Sequence, residues 1–358
     1  MNDYTNKDFS CTLLKLERIK QNKGQKEVCH GICVPSYLSK IERNQVNPDR
    51  YILKQLFQRL GIDFYFGEEF MKNNQALIDR YFEQLSYGLE RSAYVTLQQA
   101  DKELSYSPLA LDWLIIQAYE ENKEAYELLS KCQDNMSDQQ RAYYYMLLPI
   151  EKGSVNGSLN LYIQAYYILN NSYSLFNLML AYFMKGKYDK VQEYTDKCIS
   201  HAIEEGNTFQ LASCYEMVGS VYACLNVVDL MMPFYNRAIH LLQNTYWNKQ
   251  MDGIYYNIGA TYVSVKKYDL AMHYLNMVTW EDNFLLSHKK ALAMIRSGQI
   301  EAAEMYLKQM EEWLHKHESE KAQVVIEKMM LEEARYECDK DFLDHPKYIE
   351  LLEAVRER

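Results

Sequence analysis

The chain has 358 residues, a formal net charge of −10, and 48% hydrophobic residues. This length exceeds one ordinary domain and suits two or three units or a single array of repeats. The sequence contains no run of about 18 apolar residues, and its first residues are polar, which argues against a transmembrane helix and a secretion signal. We therefore expect a cytoplasmic protein that does not bind membranes.

The charge is distributed unevenly along the chain. Residues 1–66 carry a balance of +4, and the remaining 292 residues carry −14. A small basic head joined to a large acidic body suits a head that contacts phosphates and a body that does not. A balance of +4 on a segment of this size is also within ordinary variation, so the charge alone leaves both readings open.

In the first 66 residues, the helix-start, helix-end and apolar residues are spaced as in a small helix-turn-helix DNA-binding domain. An amphipathic pattern before Asn22-Lys23-Gly24 predicts a first helix, and a short second helix follows. Pro35 suits the first turn of a third helix, where its missing N–H is not needed. Leu38 and Ile41 then share one face, which leaves a polar, partly basic face for the major groove. A fourth helix is predicted to end at Gly61.

A specific pattern runs through these helices, composed of Gln25-x-x-Val28, Ile32-Cys33, Ser36, Ser39 and Ile41-Glu42. It resembles the XRE-like DNA-binding domain of the PlcR and Rgg type (RRNPP) of regulator, the cytoplasmic peptide-pheromone receptors of Gram-positive bacteria. The resemblance includes the shortened turn between the second and third helices and covers about residues 10–66. It implies that Gln25 holds a DNA phosphate.

The outer face of the third helix supplies the candidate DNA contacts. Glu42 would repel DNA if it faced the groove, so we expect it to cap a helix or to pair inside the domain. One such head offers few contacts, which predicts a homodimer on a palindromic operator. We predict base-edge contacts from Ser36, Tyr37 and Lys40, and phosphate contacts from Gln25, Lys26, Ser39 and Arg43.

Beyond about residue 71 the sequence repeats. Tyr215-x-x-Val218-Gly219-x-x-Tyr222 and Tyr255-x-x-Ile258-Gly259-x-x-Tyr262 lie forty residues apart and match the first helix of a tetratricopeptide repeat. Tyr182 continues the series upstream. The sequence thus predicts an all-α fold: a helix-turn-helix DNA-binding domain over 1–66, a linker over 67–74, a tetratricopeptide-repeat superhelix that binds peptide over 75–335, and a C-terminal capping helix over 336–358.

The first helix of each repeat lines the concave wall of such an array. Asn177 and Asn257 occupy the same repeat position, where a side-chain amide can hold a peptide bond of an extended ligand, although they could instead cap or cross-link helices. Tyr144 maps to an inward position within a tyrosine stripe that also suits core packing. The predicted peptide-binding residues are Tyr144, Tyr173, Phe176, Asn177, Phe183, Glu216, Met217, Ser220, Tyr256 and Asn257.

Glu216 is the only charged residue on this predicted wall, which favours a short, mainly apolar peptide as the ligand. The sequence therefore predicts a transcriptional regulator controlled by a signalling peptide, and the resemblance implies quorum sensing. A protein-interaction scaffold and a ligand-independent repressor are the alternatives. Discriminating among them requires salt-dependent DNA affinity and a peptide response.

Nothing in the sequence favours an enzyme. It contains no HExxH, Walker or GxSxG motif, and His315-x-His317 on a charged helix suits a solvated face better than a metal pair. The eight cysteines form no CxxC pair, and most replace small apolar residues. We therefore expect buried free thiols in a reducing compartment, with no cofactor and no metal.

Overall fold

The computed structural model describes residues 7–63, 67–149, 157–317, 328 and 330–335, which consist of helices and short connections without a β-strand. The predicted all-α class is confirmed. The chain divides into two compact units, Met1–Gln210 and Leu211–Arg358. None of the helices in the described ranges is both long and apolar enough to cross a membrane. The predicted capping helix over 336–358 lies outside the described residues.

Four helices form the N-terminal head. Pro35 occupies the first turn of the third helix, as predicted. The Asp49 side chain accepts a hydrogen bond of 2.8 Å from the Tyr51 N–H and caps the fourth helix, which Gly61 ends in the left-handed conformation. Leu38 and Ile41 are fully buried in the core. The helices are α1 (Lys7–Lys20), α2 (Gln25–Cys29), α3 (Pro35–Glu42) and α4 (Arg50–Leu60).

The rest of the first unit is a series of helices in which consecutive members pack in pairs. The predicted linker over 67–74 is helical from Glu68 onward. The helices are α5 (Glu68–Ser86), α6 (Ser92–Gln98), α7 (Asp101–Ser105), α8 (Ala110–Tyr119), α9 (Lys123–Lys131), a 3₁₀ turn (Gln133–Asn135), α10 (Asp138–Leu147), α11 (Gly157–Leu169), α12 (Ser172–Met184) and α13 (Tyr188–Glu204).

The second unit contains longer hairpins, and two apolar clusters form its core in the described residues. Met231, Ala238 and Ala271 are fully buried in the larger cluster, at the repeat positions where slender residues let two helices approach. The helix that begins at Thr208 runs across the division between the units. The helices are α14 (Thr208–Cys224), α15 (Val228–Leu242), a 3₁₀ turn (Asn248–Gln250), α16 (Met251–Ser264), α17 (Tyr268–Leu275), α18 (Phe284–Arg296) and α19 (Ile300–Lys316).

One turn geometry recurs in five of these helix pairs. Each turn has three residues, and the middle one has a positive φ: Glu121, Gly186, Asn226, Lys266 or Gly298. In each turn the N–H of the third residue bonds to a carbonyl in the last turn of the preceding helix, which satisfies an end carbonyl. These bonds join Asn122 to Gln117, Lys187 to Tyr182, Val227 to Tyr222, Lys267 to Tyr262, and Gln299 to Met294, at 2.8–3.0 Å.

The repeated glycines allow close helix packing. A Cβ built on Gly259 would lie 2.6 Å from Leu275 Cγ, whereas a Cβ on Gly253 in the same helix would have no neighbour closer than 3.9 Å. Because both glycines lie in α16, the pair separates steric overlap from helix propensity. The glycine of the repeat signature is therefore explained by contact with the second helix.

We expect Gly259→Ala to lower the free energy of unfolding of the second unit by about 1–3 kcal/mol, since the added methyl group must displace Leu275. Gly253→Ala is the matched control, and its greater helix propensity should leave stability unchanged or raise it by up to about 1 kcal/mol. Urea denaturation followed by circular dichroism measures both. Equal midpoints for the two variants would contradict the packing explanation.

His288 is a buried histidine of α18, 3% exposed, and neither of its ring nitrogens has a hydrogen-bond partner among the residues that the structure describes. Burial lowers the pKa of His288 to about 3, and the positive charges of Lys289 and Arg296 act in the same direction. The folded protein therefore keeps this ring neutral, while the unfolded chain takes up a proton below pH 6.5. Protonation of the unfolded chain therefore lowers the free energy of unfolding as pH falls from about 6.5 toward 3.

Lowering the pH from 7 to 5 should reduce the free energy of unfolding of the second unit by about 2 kcal/mol through this histidine. His288→Leu removes the group, so its urea midpoint should depend less on pH than that of the wild type. His273→Gln, which changes an exposed histidine of α17, is the control and should retain the full pH dependence. If His288→Leu kept the wild-type pH dependence, protonation of another group would be responsible.

Candidate DNA-binding and peptide-binding sites

The outer face of α3 is polar and accessible. Ser36, Lys40 and Arg43 are exposed, and Tyr37 and Ser39 are half-buried. Lys26 is exposed on the neighbouring α2. The face opposite these residues is closed by Leu38 and Ile41, neither of which has any exposed surface. The helix thus presents the predicted contact residues outward from a rigid apolar base.

Glu42 pairs inside the head and does not face outward. It is 2% exposed, and its carboxylate accepts from Arg18 at 2.5 Å and 2.9 Å in a two-pronged ion pair. The Gln25 amide donates to the same carboxylate at 2.8 Å. The expected internal pairing of Glu42 is therefore confirmed. Gln25 uses one of its two N–H groups for this bond, which leaves the other for the predicted phosphate contact.

The head is hydrogen-bonded to the first repeats through Asn135. The Asn135 side chain donates to the Glu42 carbonyl at 3.0 Å and accepts from the Lys15 ammonium at 3.0 Å. A second contact joins the Tyr106 hydroxyl to the Glu17 carboxylate at 3.2 Å. Asn135 therefore connects the 3₁₀ turn after α9 with both the C-terminal end of α3 and α1. No sequence pattern predicts this connection.

In the first unit, α12 carries four of the predicted peptide-binding residues, and all four are half-buried: Tyr173, Phe176, Asn177 and Phe183. The Asn177 amide donates at 2.8 Å to the Tyr173 carbonyl, one turn earlier in the same helix. Burial raises the pKa of Tyr173 to about 12, and hydrogen bonds with Tyr119 and Asn177 oppose the shift. The Asn177 amide thus bonds within its own helix, to the carbonyl and the side chain of Tyr173.

The structure corrects the placement of Tyr144. This side chain is 1% exposed, and its hydroxyl accepts from the Gln133 amide at 3.2 Å. Its ring lies 6.2 Å from that of Tyr126 and 6.3 Å from that of Tyr145. Tyr144 therefore belongs to the aromatic core, the alternative that the tyrosine stripe left open, because the 3₁₀ turn after α9 covers it.

In the second unit, the predicted residues form a polar cluster on α14, α15 and α16. The Ser220 hydroxyl lies 3.1 Å from that of Tyr235. Burial raises the pKa of Tyr235 well above its ordinary value, and the Glu216 carboxylate adds to the rise, while hydrogen bonds with Ser220 and Asn257 oppose it. The four side chains therefore share one small polar region within an apolar unit. Three of these residues were predicted from the sequence, whereas Tyr235, which lies on the second helix of its repeat, was not.

Glu216 is the unusual member of this cluster. Burial raises the pKa of its carboxyl to about 7. Its carboxylate accepts no hydrogen bond from a side chain or backbone group within the described part of the chain, and Gly253 opposite it adds no side chain. A half-buried carboxyl without a partner is costly to desolvate, so the site favours a ligand that donates to it.

The remaining predicted residues of the second unit differ in exposure. Met217 is 6% exposed and belongs mainly to the core. Tyr256 is half-buried, and its ring lies 5.4 Å from that of Trp280. Burial raises the pKa of Tyr256 to about 12. Tyr256 therefore belongs to an aromatic region that includes Trp280.

The described residues contain no cluster of metal-binding side chains, and their cysteines form no disulfide bonds. Within them, no three or more His, Cys, Asp or Glu side chains are grouped so that they could hold a metal ion. His317 stacks on Trp313 with ring centroids 3.9 Å apart, so it is not a simple solvated residue. The seven cysteines of these ranges are free thiols, and five of them are buried.

Comparison with known proteins identifies the head. A family model described as Helix-turn-helix matches residues 14–66, so the chain carries a DNA-binding domain of this family. This confirms the predicted helix-turn-helix domain. No curated protein matches the chain.

Two solved structures are similar to the chain over most of its length. One is Bacillus thuringiensis PlcR in complex with the peptide PapR7 and DNA, with 13% identity, a TM-score of 0.31, and coverage of 87% of this chain and 96% of that chain. The other is the Streptococcus dysgalactiae SHP pheromone receptor Rgg2, with 11% identity, a TM-score of 0.19, and coverage of 86% and 99%. Both are regulators of the kind that the sequence resemblance names. With TM-scores below 0.5, neither similarity supports a conclusion about the ligand of this chain.

Proposed function

We propose that this helix-turn-helix protein is a transcriptional regulator that binds a palindromic operator as a homodimer and is controlled by a short, mainly apolar signalling peptide in quorum sensing. The observation that carries the peptide proposal is the polar cluster of the second unit, in which Glu216, Ser220 and Asn257 are half-buried around the fully buried Tyr235. A peptide backbone supplies both the donors and the acceptors that such a cluster lacks.

The DNA proposal rests on the outer face of α3. We assign base-edge contacts to Ser36, Tyr37 and Lys40 on this face, and phosphate contacts to Lys26 and Arg43, which are exposed beside it. Gln25 and Ser39 complete the predicted phosphate contacts. Such a short helix reads few base pairs, so two heads on two half-sites would supply the specificity of a regulator.

A route for control runs through Asn135. Its two hydrogen bonds hold the end of α3 and the α1 side chain Lys15 against the first repeats. A peptide that prefers one arrangement of the repeat helices would bias the placement of the head by the difference in its affinity for the two arrangements. We propose that peptide binding acts on operator affinity in this way.

The test is a thermal-shift and operator-binding titration of the full chain with synthetic apolar penta- to octapeptides encoded by small open reading frames beside its gene. A saturating stabilisation that also changes operator affinity is the expected result. In Asn257→Ala the peptide affinity should fall at least about tenfold, because an unpaired peptide group is left in the site of the second unit. Asn276→Ala, at an exposed asparagine after α17, is the control and should bind like the wild type.

The alternatives predict other results in the same experiment. Operator binding that no peptide alters would identify a ligand-independent repressor. Absence of salt-dependent DNA affinity would instead favour an interaction scaffold that uses the repeats for a protein partner. Either result would overturn the peptide-controlled regulator.

A further inference from the structure

A cavity of about 330 Å³ lies beside α18 and α19 in the second unit. Its wall contains three aromatic side chains, Trp280, Tyr306 and Trp313, together with Lys290. Ligand pockets of whole drug-sized molecules start at about this size, so the cavity suits one amino-acid residue better than a whole peptide. None of these four residues was among the predicted site residues.

Two amide NH₂ groups of the wall have no hydrogen-bond acceptor among the described residues. The Asn283 carbonyl oxygen accepts from the Leu286 N–H at 3.0 Å, which leaves its NH₂ group. The Gln309 carbonyl oxygen accepts from the Ser287 hydroxyl at 3.1 Å, which leaves its NH₂ group as well. Two amide donors therefore remain for a ligand, and both favour an acceptor.

Lys290 adds a positive charge to these donors. Its ammonium lies 5.9 Å from the centre of the Tyr306 ring, and no carboxylate of the described residues pairs with it. Burial lowers the pKa of Lys290, as expected for a cation that lacks an anionic partner. Asp282, the one acid of the wall, is paired with Lys316 at 2.7 Å. The uncompensated charge at this cavity is therefore positive.

The cavity continues the predicted peptide-binding wall of the same unit. Trp280 lies in the cavity wall, and its ring is 5.4 Å from that of Tyr256. Tyr256 precedes Asn257, whose amide belongs to the polar cluster. A chain held at Asn257 can thus reach the cavity along Tyr256 and Trp280.

We propose that this cavity binds the C-terminal residue of the peptide, with its carboxylate on Lys290 and its apolar or aromatic side chain among Trp280, Tyr306 and Trp313. The amide groups of Asn283 and Gln309 donate to the same carboxylate. This inference rests on the proposed function, since it assigns one end of the peptide. A half-buried ion pair of this kind favours a free C terminus over an amidated one, because the amide leaves the lysine without an anion.

The test uses a probe that fits the cavity alone, N-acetyl-leucyl-phenylalanine as the free acid and as the C-terminal amide. The full chain is titrated with each probe, and the change in total tryptophan fluorescence, to which Trp280 and Trp313 contribute, reports binding. We expect the free acid to bind at least about tenfold more tightly than the amide. No fluorescence change with the acid up to millimolar concentration, or equal affinity for acid and amide, would overturn the proposal.

Substitutions in the cavity wall test the origin of the preference for the acid. Lys290→Met should abolish the preference for the acid while leaving the affinity for the amide in place, and Lys290→Arg should restore part of the preference. Lys308→Met, at an exposed lysine of α19, is the matched control and should keep the full preference. If Lys290→Met lost its far-ultraviolet circular dichroism, the Lys290→Arg variant and Gln309→Ala would carry the test.

The results distinguish failure of this inference from failure of the proposed function. Apolar penta- to octapeptides that bind in an Asn257-dependent manner, with no difference between acid and amide, would leave the regulator in place and remove the C-terminal subsite. Binding of the dipeptide acid without any peptide effect on operator affinity would keep the carboxylate site and remove peptide control.

Discussion

Glu42→Ala is expected to lower the free energy of unfolding of the head by about 3–5 kcal/mol, because it removes a buried carboxylate and leaves the half-buried Arg18 guanidinium without its ion pair. The pair is joined by two hydrogen bonds, and Gln25 donates a third to the same carboxylate. Since a small helical head has only a few kcal/mol of stability, operator binding should be lost at 37 °C. Hydrogen exchange of the amides of residues 7–63 measures the loss in the head alone.

Two controls define this prediction. Glu27→Ala removes an exposed acid of α2 and should change stability by no more than about 0.5 kcal/mol. Glu42→Gln keeps a hydrogen-bonding group of the same shape and should fall between Glu27→Ala and Glu42→Ala. If amide protection in the head were the same in Glu42→Ala and the wild type, the ion pair would have no structural role.

The combined variant Lys26→Gln and Arg43→Gln should weaken operator binding roughly 10³-fold near 0.1 M salt. Both cations are exposed beside the reading face of α3, and each is predicted to neutralise one phosphate. A dimer loses four such contacts, so the slope of log affinity against log salt concentration should become shallower by about 3–4. A titration of labelled operator at several salt concentrations measures both quantities.

A charge-matched control distinguishes direct contacts with phosphates from the long-range electrostatic field of the protein. Lys72→Gln combined with Lys102→Gln removes the same charge from exposed positions of α5 and α7, outside the head. That control should keep the wild-type slope, with only a small loss of affinity at low salt. A wild-type slope in the Lys26 and Arg43 variant would exclude these residues from the DNA contacts.

Local signals in the sequence were sufficient for the helices of the head and of the repeats. Pro35 and Gly61 mark helix ends because proline suits a first turn and glycine tolerates a positive φ. The forty-residue spacing of Tyr182, Tyr222 and Tyr262 reappears in the recurring turns, where each of these residues supplies the carbonyl that closes the turn. Such features depend on residues close in the sequence, so their pattern can be read without a structure.

The same reasoning predicted only part of how the candidate site residues are arranged. Glu216, Ser220 and Asn257 come together in the second unit, but Tyr235 was missed because its helix was expected to face away from the ligand. Tyr144 was placed on the wall by extending the geometry of the longer repeats to α10, a helix of ten residues. A shorter helix covered by a 3₁₀ turn presents a different face, and its tyrosine becomes core.

The sequence by itself determined the helical class, the DNA-reading head and the repeat register, because periodicity, caps and turns act over a few residues. Only the tertiary structure decided which distant groups meet. Asn135 is 93 residues from Glu42 and 120 from Lys15 along the chain, yet it bonds to both. Partners across such distances depend on how whole helices pack, and one sequence shows the polar group without showing what it contacts. The cavity at Lys290 likewise exists only after α18 and α19 have packed together.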